Sequence, residues 1–199
     1  MKIILASSSI NRLDILKKNN IFPDQIIVPD IDETPKKREK SLDLVRRLAY
    51  EKNCKVANNI SNGIIIAADT IVVCHGRILD KANSPTQVQG HLELLSNSRA
   101  KIITALSVIV KDNDVAKFTK IKISKSIVKF KALSAQEIAE YVNTNEGLGK
   151  AGGFTIEGSA THFIKWLSGS VSGMIGVPLY ELGLIFKSIN YDHKIKSKN

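Results

Sequence analysis

Asp69 stands in the run "GIIIAADTIVV", which but for this carboxylate and the Thr70 hydroxyl would read as an uninterrupted buried strand. An unpaired carboxylate is costly to bury. Asp69 must therefore face a cleft, a cation or a strong donor, or else sit at a strand end and cap a turn. At the rim of a sheet it could ligate a metal or act as a general base. Lys52 is a second charge out of place, because helical spacing sets it between Val45, Ala49 and Val56 in an apolar stripe. It either snorkels outward or points inward at an anion such as phosphate. In "KIILASSSINR" a short aliphatic run gives way to three serines and an arginine. Strand, hydroxyl-rich turn and helix N-terminus together present backbone N–H groups and the helix dipole to an anion. Equally, one serine caps the helix and the others are solvated.

Two weaker signals accompany these. "DIDETP" sets Asp30, Asp32 and Glu33 between prolines in a loop, either solvated or offering the hard oxygen ligands that Mg²⁺ prefers. "EGLGKAGGF" places Lys150 among four glycines, which lets backbone approach a ligand closely. It does not satisfy GxxxxGK[ST].

The elements that must hold these residues are read from periodicity and caps. Helices are expected over residues 42–56, from Ser84 with Pro85 at the first position, over 135–143 behind the capping box Ser134-Ala-Gln-Glu137, and after Pro178. Strands are expected at 2–6, 64–73, 77–79, 102–110, 115–130, 154–157 and 162–167, with tight turns at His75-Gly76 and Asp112-Asn113-Asp114. This mixed order predicts an α/β or α+β fold with a mixed sheet. The polar, basic stretch after Ile189 reads as a flexible tail.

Composition bounds the function. At 199 residues and 43% hydrophobic content the chain suits one globular domain. Its apolar runs are too short to span a bilayer, and no secretory leader is read at the start. Cys54 and Cys74 lack CxxC spacing, which suits a reducing cytoplasm, and His75, His91, His162 and His193 show no metal-ligand spacing. The formal charge of +10 invites a nucleic-acid reading. The lysines, however, are scattered, or alternate with apolar residues as Lys120 and Lys122 do with Ile121 and Ile123, the pattern of a strand with one wet face. A triphosphate would feel the same field.

Taken in order, "ILASSSINR", "DIDE", "RLAYEK", "AADTIVV" with "GRILDK", "LLSNS", "YVNTNEGLGKAGGFTIEG" and "LSGSVSGMIGVPLYE" resemble the Maf family of nucleoside triphosphate pyrophosphatases over nearly the whole chain. The resemblance implies an elongated α/β fold, a mixed sheet with two lobes around a central cleft, in a single catalytic domain over 1–190 followed by a tail at 191–199. It implies hydrolysis of a nucleoside triphosphate to the monophosphate and pyrophosphate. By the same resemblance Ser7, Ser8, Arg12, Lys52, Lys81 and Lys150 bind the triphosphate, and Glu33 and Asp69 hold Mg²⁺ or Mn²⁺. Asp69 would take the proton from the water that attacks the α-phosphorus. The family also suggests a homodimer, and the cysteine usage a cytoplasmic location.

Departures bear on the base. Ile10-Asn11-Arg12 stands where the family commonly reads Pro-Arg-Arg, so Asn11 replaces one arginine, and Ala82 follows Lys81 where proline is common, which should loosen that turn. Thr70 resembles the branch that prefers dTTP and UTP, whereas Glu157 resembles the branch acting on methylated guanosine triphosphate. Asn11, Thr70 and Glu157 are thus the specificity candidates, with dTTP or UTP as the expected substrate. Two other classes stand against this reading: a basic nucleic-acid-binding module and a non-catalytic regulator of cell division.

Overall fold

The structure, a computed structural model, describes residues 1–192. In chain order the elements are β1 (Ile3–Leu5), α1 (Ile10–Lys18), β2 (Gln25–Ile26), α2 (Ser41–Ala57), β3 (Gly63–Cys74), β4 (Arg77–Leu79), α3 (Pro85–Leu95), β5 (Arg99–Asp112), β6 (Val115–Phe130), α4 (Ala135–Asn143), a 3₁₀ turn (Ser159–Phe163), β7 (Ile164–Ser168), α5 (Val171–Ile175) and α6 (Leu179–Ser188). The strands form one mixed sheet in the order β2-β1-β3-β5-β6-β7, with β4 paired to β3. The fold is mixed α/β, as the sequence predicts.

The chain divides into two compact units. The first takes Met1–Asp69, Thr104–Ser124 and the chain from Gly176 onward. Here β1 and β3 pair in parallel, Ile3 to Ile64 through Leu5 to Ile66. Their aliphatic side chains are buried on both faces, which is why both read as continuous apolar runs. One core cluster joins Ile4, Ala6, Val56, Ala57, Ile65, Ala67 and Ile109, so α2 lies against the sheet through its 3–4 spaced apolar stripe.

The second unit takes Thr70–Ile103 and Lys125–Ile175. Its core gathers Val72, Val88, Leu92, Val128, Phe130, Ile138, Tyr141, Phe154 and Phe163. Phe130 meets Phe154 edge-on with centroids 5.0 Å apart, and Tyr141 meets Phe163 at 5.6 Å. The capping box of α4 is formed as expected, with Ser134 and Glu137 side chains each satisfying the other's backbone N–H.

Both predicted tight turns are present, and each has two consecutive left-handed residues, His75-Gly76 and Asn113-Asp114, the conformation that matches the twist of a hairpin. Several expectations are corrected. Residues 154–157 form no strand, because the left-handed Gly152-Gly153 turn before Phe154 and the turn at 156–157 after it leave only two residues between them. The strand expected at 162–167 is β7, Ile164–Ser168, since the 3₁₀ turn takes the residues before it. Two short elements, β2 and α5, carry too few residues for periodicity to reveal. On β6 the alternation of buried and open residues holds from Ser124 to Phe130, but Val115–Lys120 shows no buried face. The expected tail falls mostly at 193–199, outside the described residues.

Candidate functional site

The parallel register of β1 and β3 continues past Leu5 and Ile66, with the Ala6 N–H donating to the Ile66 carbonyl at 2.8 Å. Counting on along parallel strands brings Ser7 and Ser8 level with Ala68 and Asp69. The serine turn thus leaves the carboxyl end of β1 beside the anomalous carboxylate, which lies midway along β3 and not at a strand end.

The three serines divide their work. Ser9 caps α1, its Oγ accepting from the Arg12 N–H at 3.4 Å. Ser7 is buried, and its Oγ accepts from the Ser9 N–H at 3.1 Å and from Arg12 Nη1 at 3.2 Å. Ser8 is exposed. The reading in which one serine caps and the rest are solvated therefore holds for Ser9 and Ser8 and fails for Ser7. Arg12 is held from its other side by the Gly176 carbonyl, which accepts from Nε at 3.3 Å. Burial lowers the Arg12 pKa, while the charges of Asp69 and Glu33 oppose that shift. Asn11 lies half-buried beside it on the first turn of α1.

Lys52 does not snorkel. It is buried on the apolar face of α2, and its Nζ donates to Asp69 Oδ1 at 2.6 Å and pairs with Glu33 Oε1 at 2.9 Å. The Lys52 and Asp69 side chains are each only 6% exposed, whereas Glu33 is 44% exposed. One buried ammonium is therefore shared by a buried carboxylate and an open one. Neighbouring Asn53 fixes the helix at this point: its Nδ2 donates to the Ile65 carbonyl at 3.2 Å, to the Ser107 carbonyl at 2.7 Å and to Ser107 Oγ at 3.1 Å. A buried amide bridging two strands leaves α2 little freedom to slide or rotate.

The structure thus brings Ser7, Arg12, Glu33, Lys52 and Asp69 together in the first unit. Among the described residues no group of three His, Cys, Asp or Glu side chains converges as a complete metal cage. The donor set nevertheless fits one cation: two carboxylates already meet at a positively charged atom, and Mg²⁺ commonly uses one or two protein carboxylates together with substrate phosphates. Asp30 and Asp32 are exposed, and Asp32 is spent locally: its Oδ1 accepts from the Thr34 N–H at 2.9 Å, and the Thr34 hydroxyl, then that N–H, lower its pKa.

The second unit holds the other candidates. Lys81 bridges to Ala151, the Ala82 N–H donates to the Lys150 carbonyl at 3.1 Å, and the Gly149 N–H donates to the Ala82 carbonyl at 2.8 Å. Gly152, at φ +70°, gives its N–H to the Leu79 and Asp80 carbonyls, both at 3.1 Å. The glycine-rich loop is thereby laid against the end of β4, with the backbone of Lys150 beside that of Lys81 and Ala82. Ala82 does not loosen it, for a proline there would lack the N–H that holds the Lys150 carbonyl. Glu157 is exposed on a turn anchored by Glu146, whose Oε2 accepts from the Ser159 N–H at 2.8 Å and from Ser159 Oγ at 3.0 Å. Thr70 follows Asp69 on β3 and is half-buried.

Sequence reasoning missed Asn53 and Arg47. Asn53 falls on the same stripe as Ala49 and Val56, so an amide on an apolar face was its signal. Arg47, which pairs with Glu39 and Glu51, carried only the i,i+4 spacing to Glu51.

The profile of the family described as Maf-like protein matches residues 2–189, and the chain belongs to the Maf family. A nucleoside triphosphate pyrophosphatase of Rickettsia akari is 45% identical over 96% of this chain and 95% of its own length. A dTTP/UTP pyrophosphatase of Zymomonas mobilis is 46% identical over 90% of this chain and 87% of its own length. Among solved structures, the Ham1 protein of Staphylococcus aureus aligns with a TM-score of 0.42 at 20% identity, covering 65% of this chain and 72% of that one. Among the described residues no helix is long and apolar enough to cross a membrane.

Proposed function

We propose that this chain is a hydrolase that converts a nucleoside triphosphate to the monophosphate and pyrophosphate. The observation that carries the reading is the shared Lys52 ammonium, 2.6 Å from Asp69 and 2.9 Å from Glu33, with Arg12 held beside them. Few scaffolds have reason to bury an ammonium and a carboxylate between a helix and a strand with a guanidinium beside them. A polyanionic substrate and a base supply that reason.

In this reading Asp69 accepts the proton of the water that attacks the α-phosphorus, and Lys52 fixes the orientation of its carboxylate through Oδ1. Arg12, pinned by Ser7 and the Gly176 carbonyl, meets negative charge on the triphosphate without having to be ordered during the reaction. Ser7 and Ser8 line the phosphate turn, and Lys81 and Lys150 meet phosphate oxygens. Glu33 and Asp69 would hold Mg²⁺ or Mn²⁺, which would neutralise phosphate charge and lower the pKa of water. The open Glu33 can leave Lys52 at little cost, because its carboxylate is already partly hydrated.

For the base we propose dTTP or UTP, supported by Thr70 and by the Zymomonas relative's activity. Asn11 and Glu157 broaden or redirect that preference. The free thiols of Cys54 and Cys74 support a reducing compartment, the cytoplasm. The test is pyrophosphate release from dTTP, UTP, CTP, GTP and methylated GTP with Mg²⁺ or Mn²⁺, in wild type and Asp69→Asn. Turnover of at least one triphosphate, lost by roughly 10²-fold in the variant, is expected. No turnover of any, or full turnover by Asp69→Asn, would overturn the reading.

A further inference from the structure

Residues 27–40, between β2 and α2, contain no helix or strand, and Glu33 lies in their middle. A stretch of this kind gives a carboxylate no fixed place unless something outside anchors it. Arg47, on the second turn of α2, does so at two points. Its Nη2 donates to the Thr34 carbonyl at 3.1 Å and to Glu39 Oε2 at 2.8 Å, and its Nε donates to Glu39 Oε1 at 2.7 Å. Its Nη1 reaches Glu51 Oε2 at 2.9 Å, which holds the guanidinium in plane from the helix side. Arg47 therefore forks onto Glu39 and also grips the peptide carbonyl of the residue directly after Glu33.

The segment is also closed locally on either side of that grip. Asp32 Oδ1 accepts from the Thr34 N–H, and Glu39 Oε2 accepts from the Lys36 N–H, both at 2.9 Å. Arg47 and Lys52 lie on one helix with an axial separation of about 7.5 Å. A single rigid element thus holds the Thr34 carbonyl with one side chain and the Glu33 carboxylate with the other. The Arg47 and Glu39 side chains are only 14% and 9% exposed, so the fork is sheltered from competing water. The Arg47 bonds and the Lys36 N–H hold the Glu39 carboxyl at about 2, which keeps the fork ionised well into acid.

We propose that Arg47 is a positioning residue that sets the place of Glu33 by clamping the backbone next to it, and so tunes how tightly the enzyme holds its divalent cation. The inference rests on the reading of Glu33 as a carboxylate for that cation. A lysine at position 47 keeps the charge but is a point donor, unable to fork onto Glu39 and reach Thr34 together. Anchors of this kind behind a ligating side chain are worth roughly 10–100-fold in metal affinity or activity.

The experiment uses the full chain as wild type, Arg47→Lys, Glu39→Gln, Glu33→Gln and Arg47→Lys with Glu33→Gln. It reads the Mn²⁺ concentration giving half-maximal pyrophosphate release and, on nucleotide-free protein, the rate of tryptic cleavage after Lys36, Lys37 and Arg38. Arg47→Lys is expected to raise the half-saturating Mn²⁺ roughly tenfold, with turnover largely restored at saturating Mn²⁺. Cleavage at 36–38 should quicken several-fold while other tryptic sites keep their rates. Glu39→Gln should shift both readouts in the same direction by less. In the Glu33→Gln background, Arg47→Lys should add less than about twofold, because the carboxylate it positions is gone. Faster cleavage with an unchanged Mn²⁺ requirement, or a full additional loss in the double variant, would overturn the inference while leaving Glu33 its role. An unchanged Mn²⁺ requirement in Glu33→Gln itself would remove Glu33 from the metal reading and the inference with it.

Discussion

Replacing Lys52 by Met keeps the unbranched stem in the α2 stripe and removes only the ammonium. Asp69, 6% exposed, then loses a donor at 2.6 Å. Breaking a buried ion pair by removing one partner costs about 3–5 kcal/mol. Here the loss should fall near the lower end, about 3 kcal/mol, because Arg12 still acts on Asp69 and Glu33 is open enough to rehydrate. For a chain of this size that corresponds to a drop in Tm of roughly 6–12 °C. Asp69→Asn should cost less, about 2 kcal/mol, because Lys52 keeps Glu33 at 2.9 Å. The two losses should not add. With both charges removed, the double variant should lie about 2 kcal/mol below wild type, a coupling of about 3 kcal/mol. Turnover should behave differently: each single variant and the double should fall by roughly 10²-fold or more, because a repaired core restores neither the base nor the cation. Urea denaturation and pyrophosphate release on the same four proteins measure both quantities. Additive stability losses would refute the buried pair. Recovery of both stability and turnover in the double variant would show that the pair is scaffold alone.

Arg12→Ala should lower kcat/KM by roughly 10²-fold, whereas Lys122→Ala on β6 should leave it within about twofold; equal losses would indicate diffuse electrostatic attraction. Glu157→Gln should raise turnover of dTTP and UTP relative to guanine nucleotides, since an ionised carboxylate only accepts hydrogen bonds while an amide meets both the N3–H and a carbonyl of a pyrimidine; an unchanged ratio across the substrate panel would take Glu157 out of the base pocket. Burial lowers the His91 pKa against the opposing charge of Asp80, and Nδ1 is buried with no hydrogen-bond partner among the described residues. The unfolded chain therefore binds the proton first, so this contribution is complete above pH 6.5 and is lost as pH falls below it toward the folded value. His91→Gln should flatten the decline of Tm between pH 7 and pH 5, and a slope identical to wild type would count against it.

The sequence was most legible where one residue broke a strong pattern. Asp69 in a β-branched strand and Lys52 in an apolar helical stripe each announced a burial cost, and the structure answers both with one ion pair. The capping box at Ser134 and the left-handed turn residues were legible because their chemistry is local. Where contacts are distant the signal faded. The Arg47 grip on Thr34 and Glu39 depends on how a loop without secondary structure folds back on α2, and nothing in residues 27–40 specifies that path. Phe154 reads as the start of a strand because aromatic residues favour strands, but the left-handed Gly152-Gly153 turn before it and the turn at 156–157 after it leave too short an extended run. The division of labour among Ser7, Ser8 and Ser9 was hidden for a different reason: three identical residues in a row leave open where α1 starts, and that start decides that Ser9 caps while Ser7 meets the Ser9 N–H and Arg12.

The central claim, that water attacks the α-phosphorus with Asp69 as base, is tested most directly by hydrolysis in ¹⁸O-labelled water. Wild-type protein would be incubated with dTTP and Mg²⁺, and the products examined by mass spectrometry. The account predicts dTMP carrying one ¹⁸O and unlabelled pyrophosphate, with Asp69→Asn giving the same pattern at a rate lower by roughly 10²-fold. Label in pyrophosphate, or release of dTDP and labelled orthophosphate, would place the attack on another phosphorus and contradict it.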